Sequence, residues 1–160
     1  AFRNYWYSSH LSTFGAETLY EDKETTPTVV RFTWLPTFDN PMMVAIKLNA
    51  NDTSEIVFKR SDGLGGYDTG DTVQETRKSL DIEKTKQLMK QIVELENCSP
   101  TFSDAGLDGS EWIFETVINK KYCQTDIWSP GTAGRAGLFR KFGIELLQMS
   151  GIDTDTVRFY

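Results

Sequence analysis

One histidine, two cysteines and five prolines occur in 160 residues, and no apolar run nears the ~18 residues of a membrane-spanning helix. Each scarcity excludes a class of chemistry. A serine or cysteine nucleophile normally needs a nearby base, most often histidine. His10 stands in the polar stretch Ser8-Ser9-His10, with no GxSxG or comparable motif anywhere in the chain, and reads as a solvated residue. One histidine and two distant cysteines cannot assemble a zinc site of the usual kind, so no metal and no cofactor is expected. Basic residues are also short: 17 Lys and Arg face 23 Asp and Glu, a formal charge of −6. A general nucleic-acid or anionic-membrane binder needs the opposite sign, so neither partner is expected. The glycine-rich stretch 63–70 contains no Gly-Lys-Ser/Thr and is acidic, which is the wrong charge for cradling phosphate.

What is present is an ordinary core vocabulary, with about a quarter of the residues Leu, Ile, Val or Phe, above the disordered range. The length suits one domain over 1–160, with 1–25 an N-terminal segment of open packing. Residues 28–35 and 42–48 are β-branched and apolar, and Pro36, Asp39, Asn40 and Pro41 between them supply turn chemistry, so they read as antiparallel strands. A third strand follows at 54–60 and a short polar one at 72–78. A helix is expected over 81–96, capped by Asp81 or Ser79, with Ile82, Leu88, Met89, Ile92, Val93 and Leu95 mostly on one face. Residues 111–118 and 121–128 form a hairpin turning at Asn119-Lys120, and a second helix over 134–149 stops at Gly151. Hairpins with two separated helices predict an α+β fold built on a mainly antiparallel sheet.

The carboxylates gather in two loops. Asp62, Asp68, Asp71 and Glu75 fall within 62–75 without one basic residue, and Asp104, Asp108 and Glu111 follow in the second loop. Neither has the DxDxDG order of an EF-hand, and aspartates with glycines commonly make tight turns. Asp108, Glu111 and Glu115 beside Trp112 and Trp128 also have the composition of a glycoside-hydrolysing site. Alternation instead puts Trp112 and Phe114 on a core face and Glu111 and Glu115 on the outer one. Cys98 and Cys123 leave two readings open: a disulfide in an exported protein, or two buried thiols in the cytosol. Pairing would close a loop of about 25 residues, worth roughly 3.5 kcal/mol in the chain-entropy treatment.

The most distinctive string is Leu107-Asp108-Gly109-Ser110-Glu111-Trp112-Ile113-Phe114-Glu115, followed by Tyr122 and Asp126-Ile127-Trp128-Ser129-Pro130. It resembles a DGxxWxxE…Y…WSP pattern near the C-terminus of a family of uncharacterised bacterial proteins, often exported or lipid-anchored. Arg31-Phe32-Thr33-Trp34-Leu35-Pro36, Pro41 and the Asp62-Gly63-x-Gly65-Gly66-Tyr67 loop agree with it, so the resemblance covers about residues 28–150. The chain departs where Cys98 and Cys123 replace an aromatic residue and a histidine of the pattern, which favours their pairing. The resemblance implies a periplasmic or otherwise extracytoplasmic setting and no reaction or ligand. Within the pattern, Trp112 and Trp128 are expected to fill the space between hairpin and helix, and Glu115 to pair with Arg31 or Arg135.

These readings lead to a non-enzymatic binding protein of the bacterial envelope, of the immunity or inhibitor type. It would dock on a protein partner through Asp62, Tyr67, Asp68, Asp71, Asp104 and Asp108, while Trp112, Glu115 and Trp128 hold the fold. The alternative is a carboxylate-dependent hydrolase of cell-wall sugar using Asp108, Glu111 or Glu115.

Overall fold

In a computed structural model that describes residues 2–21, 27–95 and 106–160, six antiparallel strands form one sheet. The elements follow as α1 (Phe2–Thr13), β1 (Val29–Pro36), β2 (Met42–Leu48), β3 (Ser54–Ser61), β4 (Thr72–Leu80), α2 (Ile82–Leu95), β5 (Ser110–Ile118), β6 (Lys121–Trp128) and α3 (Gly134–Met149). The sheet order is β4-β3-β2-β1-β5-β6, an α+β arrangement in which α2 crosses over so that β5 can pair with β1. The strands and the two helices expected from the pattern are present with nearly the expected limits. A third helix, α1, occupies the segment whose packing the sequence left open.

Strand β1 is central and buried at every position. Its side chains alternate between two different interiors. Val30, Phe32 and Trp34 join the main core with Trp112 and Phe114 of β5, against α2 and α3. Phe32 stacks on Phe114 at 4.7 Å, and Phe114 meets Phe139 and Phe142 of α3 at 5.1 and 6.1 Å. Each buried ring contributes about 2–3 kcal/mol by removal from water. Helix α3 approaches so closely that a Cβ on Gly143 would lie 2.8 Å from Phe32 Cζ and 2.9 Å from Trp112 Cζ3.

Local chemistry sets the ends of these elements. Asp81 caps α2 by accepting the Lys84 backbone N–H at 2.9 Å. Thr85, Leu88 and Ile92 are its buried face, whereas Ile82 and Val93, expected on that face, are exposed. Gly151 ends α3 at φ +92°, donating its N–H to the Gln148 carbonyl at 2.9 Å. Asn119 and Lys120 both have positive φ, as a two-residue turn matched to strand twist requires.

The opposite face of the sheet carries Val29, Arg31, Thr33 and Leu35 of β1 and Glu111, Ile113, Glu115 and Val117 of β5. Helix α1 lies on this side, its Leu11 and the following Phe14 packed on Met43 in a small cluster. Leu19 covers Val29 and Val117 in another. Glu111 and Glu115, on this face, are buried at 5% and 3% exposure, Glu115 under Tyr7 of α1, instead of facing solvent as alternation alone implied.

Candidate functional site

Between α1, the segment that follows it and the β5–β6 hairpin is a cleft of about 670 Å³. Its floor is a cross-strand charge pair. Arg31 and Glu115 are direct partners in the β1–β5 register, and the β-pleat points both toward α1. Arg31 Nε donates to Glu115 Oε2 at 2.7 Å, and Nη2 lies 2.6 Å from that same oxygen as an ion-pair contact without hydrogen-bond geometry. Nη1 donates to the Glu17 carbonyl at 2.7 Å. The Tyr7 hydroxyl of α1 reaches down to Oε2 in a short hydrogen bond and lies 3.2 Å from Thr33 Oγ1. Tyr122 OH lies 2.8 Å from Glu115 Oε1 and 2.6 Å from Gln124 Oε1, its one proton shared between two acceptors.

Burial and charge act together on these groups. Burial foremost, and then the Glu115 charge, pushes the Tyr7 hydroxyl well above the ordinary phenol pKa, and Tyr122 moves up for the same two reasons. Burial opposes the Arg31 charge, but Tyr7 and Glu115 outweigh it and hold the guanidinium above its ordinary value. Glu115 thus holds one cation and two phenols at once. Isolated burial of either charge would cost several kcal/mol, and the hydrogen bonds are what make the pair tolerable.

The walls differ in character from the floor. Tyr20 is 59% exposed and meets Tyr122 edge to face at 5.4 Å. Gln124 bridges Tyr122 to Asp126, donating to Asp126 Oδ1 at 2.9 Å. Asn4, Ser8 and Thr18 add hydrogen-bonding groups to the lining, and Glu21 and Asp126 add two carboxylates.

Across α1 from the cleft, the acidic loop is tied down. The Gly65 carbonyl accepts from Trp6 Nε1 at 2.7 Å and lies 3.1 Å from His10 Nε2. His10 is 1% exposed, which corrects the solvated reading. Its place one helical turn from Trp6 turns both rings onto the loop, and burial lowers its pKa although the Gly65 carbonyl and Asp68 oppose this. At the loop's root, Asp62 N–H donates to the Asp71 carbonyl at 3.0 Å, and Asp71 N–H donates to Asp62 Oδ1 at 2.8 Å. Asp68 Oδ1 accepts the Gly70 N–H at 3.0 Å. A Cβ on Gly63 would fall 2.3 Å from the Asp68 carbonyl, so this fold of the loop requires glycine there. Asp62, Asp68 and Asp71 remain exposed, and Tyr67 projects at 76% exposure.

The other expected residues separate. Asp108 is exposed in the loop two residues before β5, unlike the buried Glu115, while Asp104 and Cys98 lie outside the described residues. Trp112 is fully buried in the main core, with the Arg140 guanidinium 5.5 Å from its ring. Trp128 does not share that space. It stands on the other face with Tyr122, where a Cβ on Gly106 or Gly109 would meet its ring at 2.5 and 2.6 Å. Glu115 pairs with Arg31, whereas Arg135 approaches the Phe139 ring and donates to the Leu95 carbonyl. Cys123 is buried on β6 and disulfide-bonded. Among the described residues no cluster of three or more His, Cys, Asp or Glu could hold a metal, and no helix is long and apolar enough to cross a membrane.

Sequence reasoning missed Tyr7, Tyr20 and Gln124. The available signal was the polar Arg31-x-Thr33 alternation inside an otherwise apolar strand, which marks one face of β1 as something other than core. No family model matches the chain, and no curated protein sequence matches it.

Proposed function

We propose that the chain is a binding protein of the bacterial envelope, of the immunity or inhibitor type, which docks on a basic protein partner through its acidic loop. The observation that carries this reading is the form of loop 61–71: a fixed root, three exposed aspartates and an exposed Tyr67 near the tip. A preorganised loop loses little conformational entropy on docking. Tyrosine is among the residues that most often dominate binding energy, and a one-signed charge field steers the encounter. The bonded state of Cys123 agrees with an oxidising compartment. Against the hydrolase alternative stands Glu115, whose two oxygens already hold Arg31, Tyr7 and Tyr122, and Trp112, which is sealed from any sugar.

Affinity capture from an envelope extract of the native organism, with wild type beside Tyr67→Ala, tests the proposal. The expected result is a basic partner retained at low salt, released as salt rises, and reduced at least tenfold by the substitution. Equal retention by Tyr67→Ala, or no specific partner, overturns it. Release of soluble fragments from purified peptidoglycan would favour the hydrolase.

A further inference from the structure

We infer that the cleft between α1 and the β5–β6 hairpin is a binding site for an uncharged polyhydroxylated ligand of the saccharide class, separate from the acidic loop. Its size comes first: about 670 Å³ lies within the ~300–1,000 Å³ typical of small-ligand sites. A mono- or disaccharide is a ligand of that scale.

The charges then select against an anion. Arg31 and Glu115 cancel one another, with Arg31 Nε and Nη1 donating to Glu115 and the Glu17 carbonyl and Nη2 held against Glu115 Oε2. Glu21 and Asp126 add two carboxylates to the lining. An anion would meet those carboxylates and would have to pull Arg31 from Glu115, whereas an uncharged hydroxyl can donate to a carboxylate oxygen without either cost.

The walls supply what the floor withholds. Asn4, Thr18 and Gln124 line the cleft with amides and a hydroxyl that both donate and accept, while the Ser8 hydroxyl donates to the Tyr5 carbonyl and offers its oxygen as an acceptor. A ligand hydroxyl both donates and accepts, so it can meet each of these groups. Gln124 is held in place between Tyr122 OH at 2.6 Å and Asp126 at 2.9 Å, so a hydroxyl would meet an amide already oriented. Tyr20 adds an aromatic wall: its ring is 59% exposed and braced edge-on by Tyr122 at 77°. The apolar C–H face of a pyranose fits such a ring, while its equatorial hydroxyls point at the surrounding polar groups. An aromatic platform beside amides, hydroxyls and carboxylates, over an internally paired Arg31–Glu115 floor, is the chemistry of sugar recognition.

Saturation-transfer NMR on the full chain tests the inference with cellobiose and N,N′-diacetylchitobiose at millimolar concentration, and with spermidine as a cationic comparison. Tyr20→Ala and Gln124→Ala remove exposed side chains, and circular dichroism verifies that both variants fold. Lys90→Ala, on the exposed face of α2, serves as the distant control. The expected result is transfer to the ring protons of at least one disaccharide, reduced at least fivefold in Tyr20→Ala and in Gln124→Ala and unchanged in Lys90→Ala. No transfer to either disaccharide, transfer that survives both cleft substitutions, or binding of spermidine alone overturns the inference. Because Tyr67 is not part of the cleft, these outcomes are independent of docking through the acidic loop.

Discussion

Glu115 is the residue on which the sheet's α1-facing side converges, and its removal defines what that side is worth. Glu115→Gln keeps the shape and leaves Arg31 buried without a counter-charge, at 3% exposure. Breaking a buried pair in this way costs about 3–5 kcal/mol. A double change, Arg31→Met with Glu115→Leu, removes both charges and is expected to recover most of that loss in urea melts. If Glu115→Gln costs less than about 1 kcal/mol, on the scale of an exposed pair, the buried-pair account is wrong. His10 gives a second prediction, in pH. Its folded pKa is depressed, so the folded state favours the neutral ring. Its contribution is present above the unfolded pKa of about 6.5 and is lost as pH falls through the lower folded value. His10→Gln can still offer an N–H toward Gly65 but does not titrate. The loss of stability between pH 7.5 and 5 should therefore be smaller in the variant than in wild type. Parallel wild-type and variant curves would remove His10 from the account. Tyr7 and Tyr122 act at the other end, where raised pKa values keep the folded phenols neutral. Their contribution is present below about pH 10 and declines as the unfolded phenols ionise above it.

At the scale of elements, the two helices on the main-core side were legible because burial gave them a period. Leu88 and Ile92 of α2, and Phe139, Phe142 and Leu146 of α3, fall at helical spacing, and Asp81 and Gly151 mark a start and a stop. The strands were legible from β-branched runs and from the Asn119-Lys120 turn. Helix α1 was not, because Phe2–Thr13 mixes aromatics with Ser, His and Thr around the whole helix and its two contact faces are polar as well as apolar. Trp6 and His10 seek the Gly65 carbonyl, while Tyr7 seeks Glu115. Hydrogen-bonded docking of that kind leaves no hydrophobic stripe to read. The cleft was hidden for the same reason: Glu115 was recognisable as off the core face, but nothing in β5 alone announced that another helix would cover it. Gly143 provides a prediction at this scale. Adding a methyl group there would drive α3 against Phe32 and Trp112, two rings fully buried in the core with no room to give. Gly143→Ala gains helix propensity of about 1 kcal/mol but is expected to lose more through overpacking, which typically costs about 1–3 kcal/mol. A net destabilisation in thermal melts is the expected outcome, and a stabilised variant would show that α3 can shift outward freely.

The molecule as a whole is a sheet with unequal sides. One side holds the principal core, formed by all six strands with α2 and α3. Among the described residues, the other holds Leu11, Phe14 and Met43 in one patch and Leu19, Val29 and Val117 in another, with buried Leu35 and Ile113 and polar contacts besides. Free energy of local opening follows buried apolar area and the number of contacts that must break together. Lifting α1 together with the segment through Leu19 would break the hydrogen bonds to Gly65 and Glu115 and uncover two small clusters. It would leave Phe32, Phe114 and Trp112 undisturbed beneath α3. The side that carries the cleft and anchors the acidic loop is therefore the less stable side, and both proposed binding surfaces depend on α1 staying in place. Native-state hydrogen exchange should separate the two. Amides of α1 are expected to exchange at least tenfold faster than those of β1 and β5, and α3 to follow the sheet. A saccharide in the cleft, touching both α1 and β6, should slow exchange in α1 by mass action while leaving β1 near its original rate. Equal protection of α1 and β1 in the free protein would mean that the two sides open as one unit, and that the polar contacts of Tyr7, Trp6 and His10 bind α1 as firmly as the aromatic core binds α3.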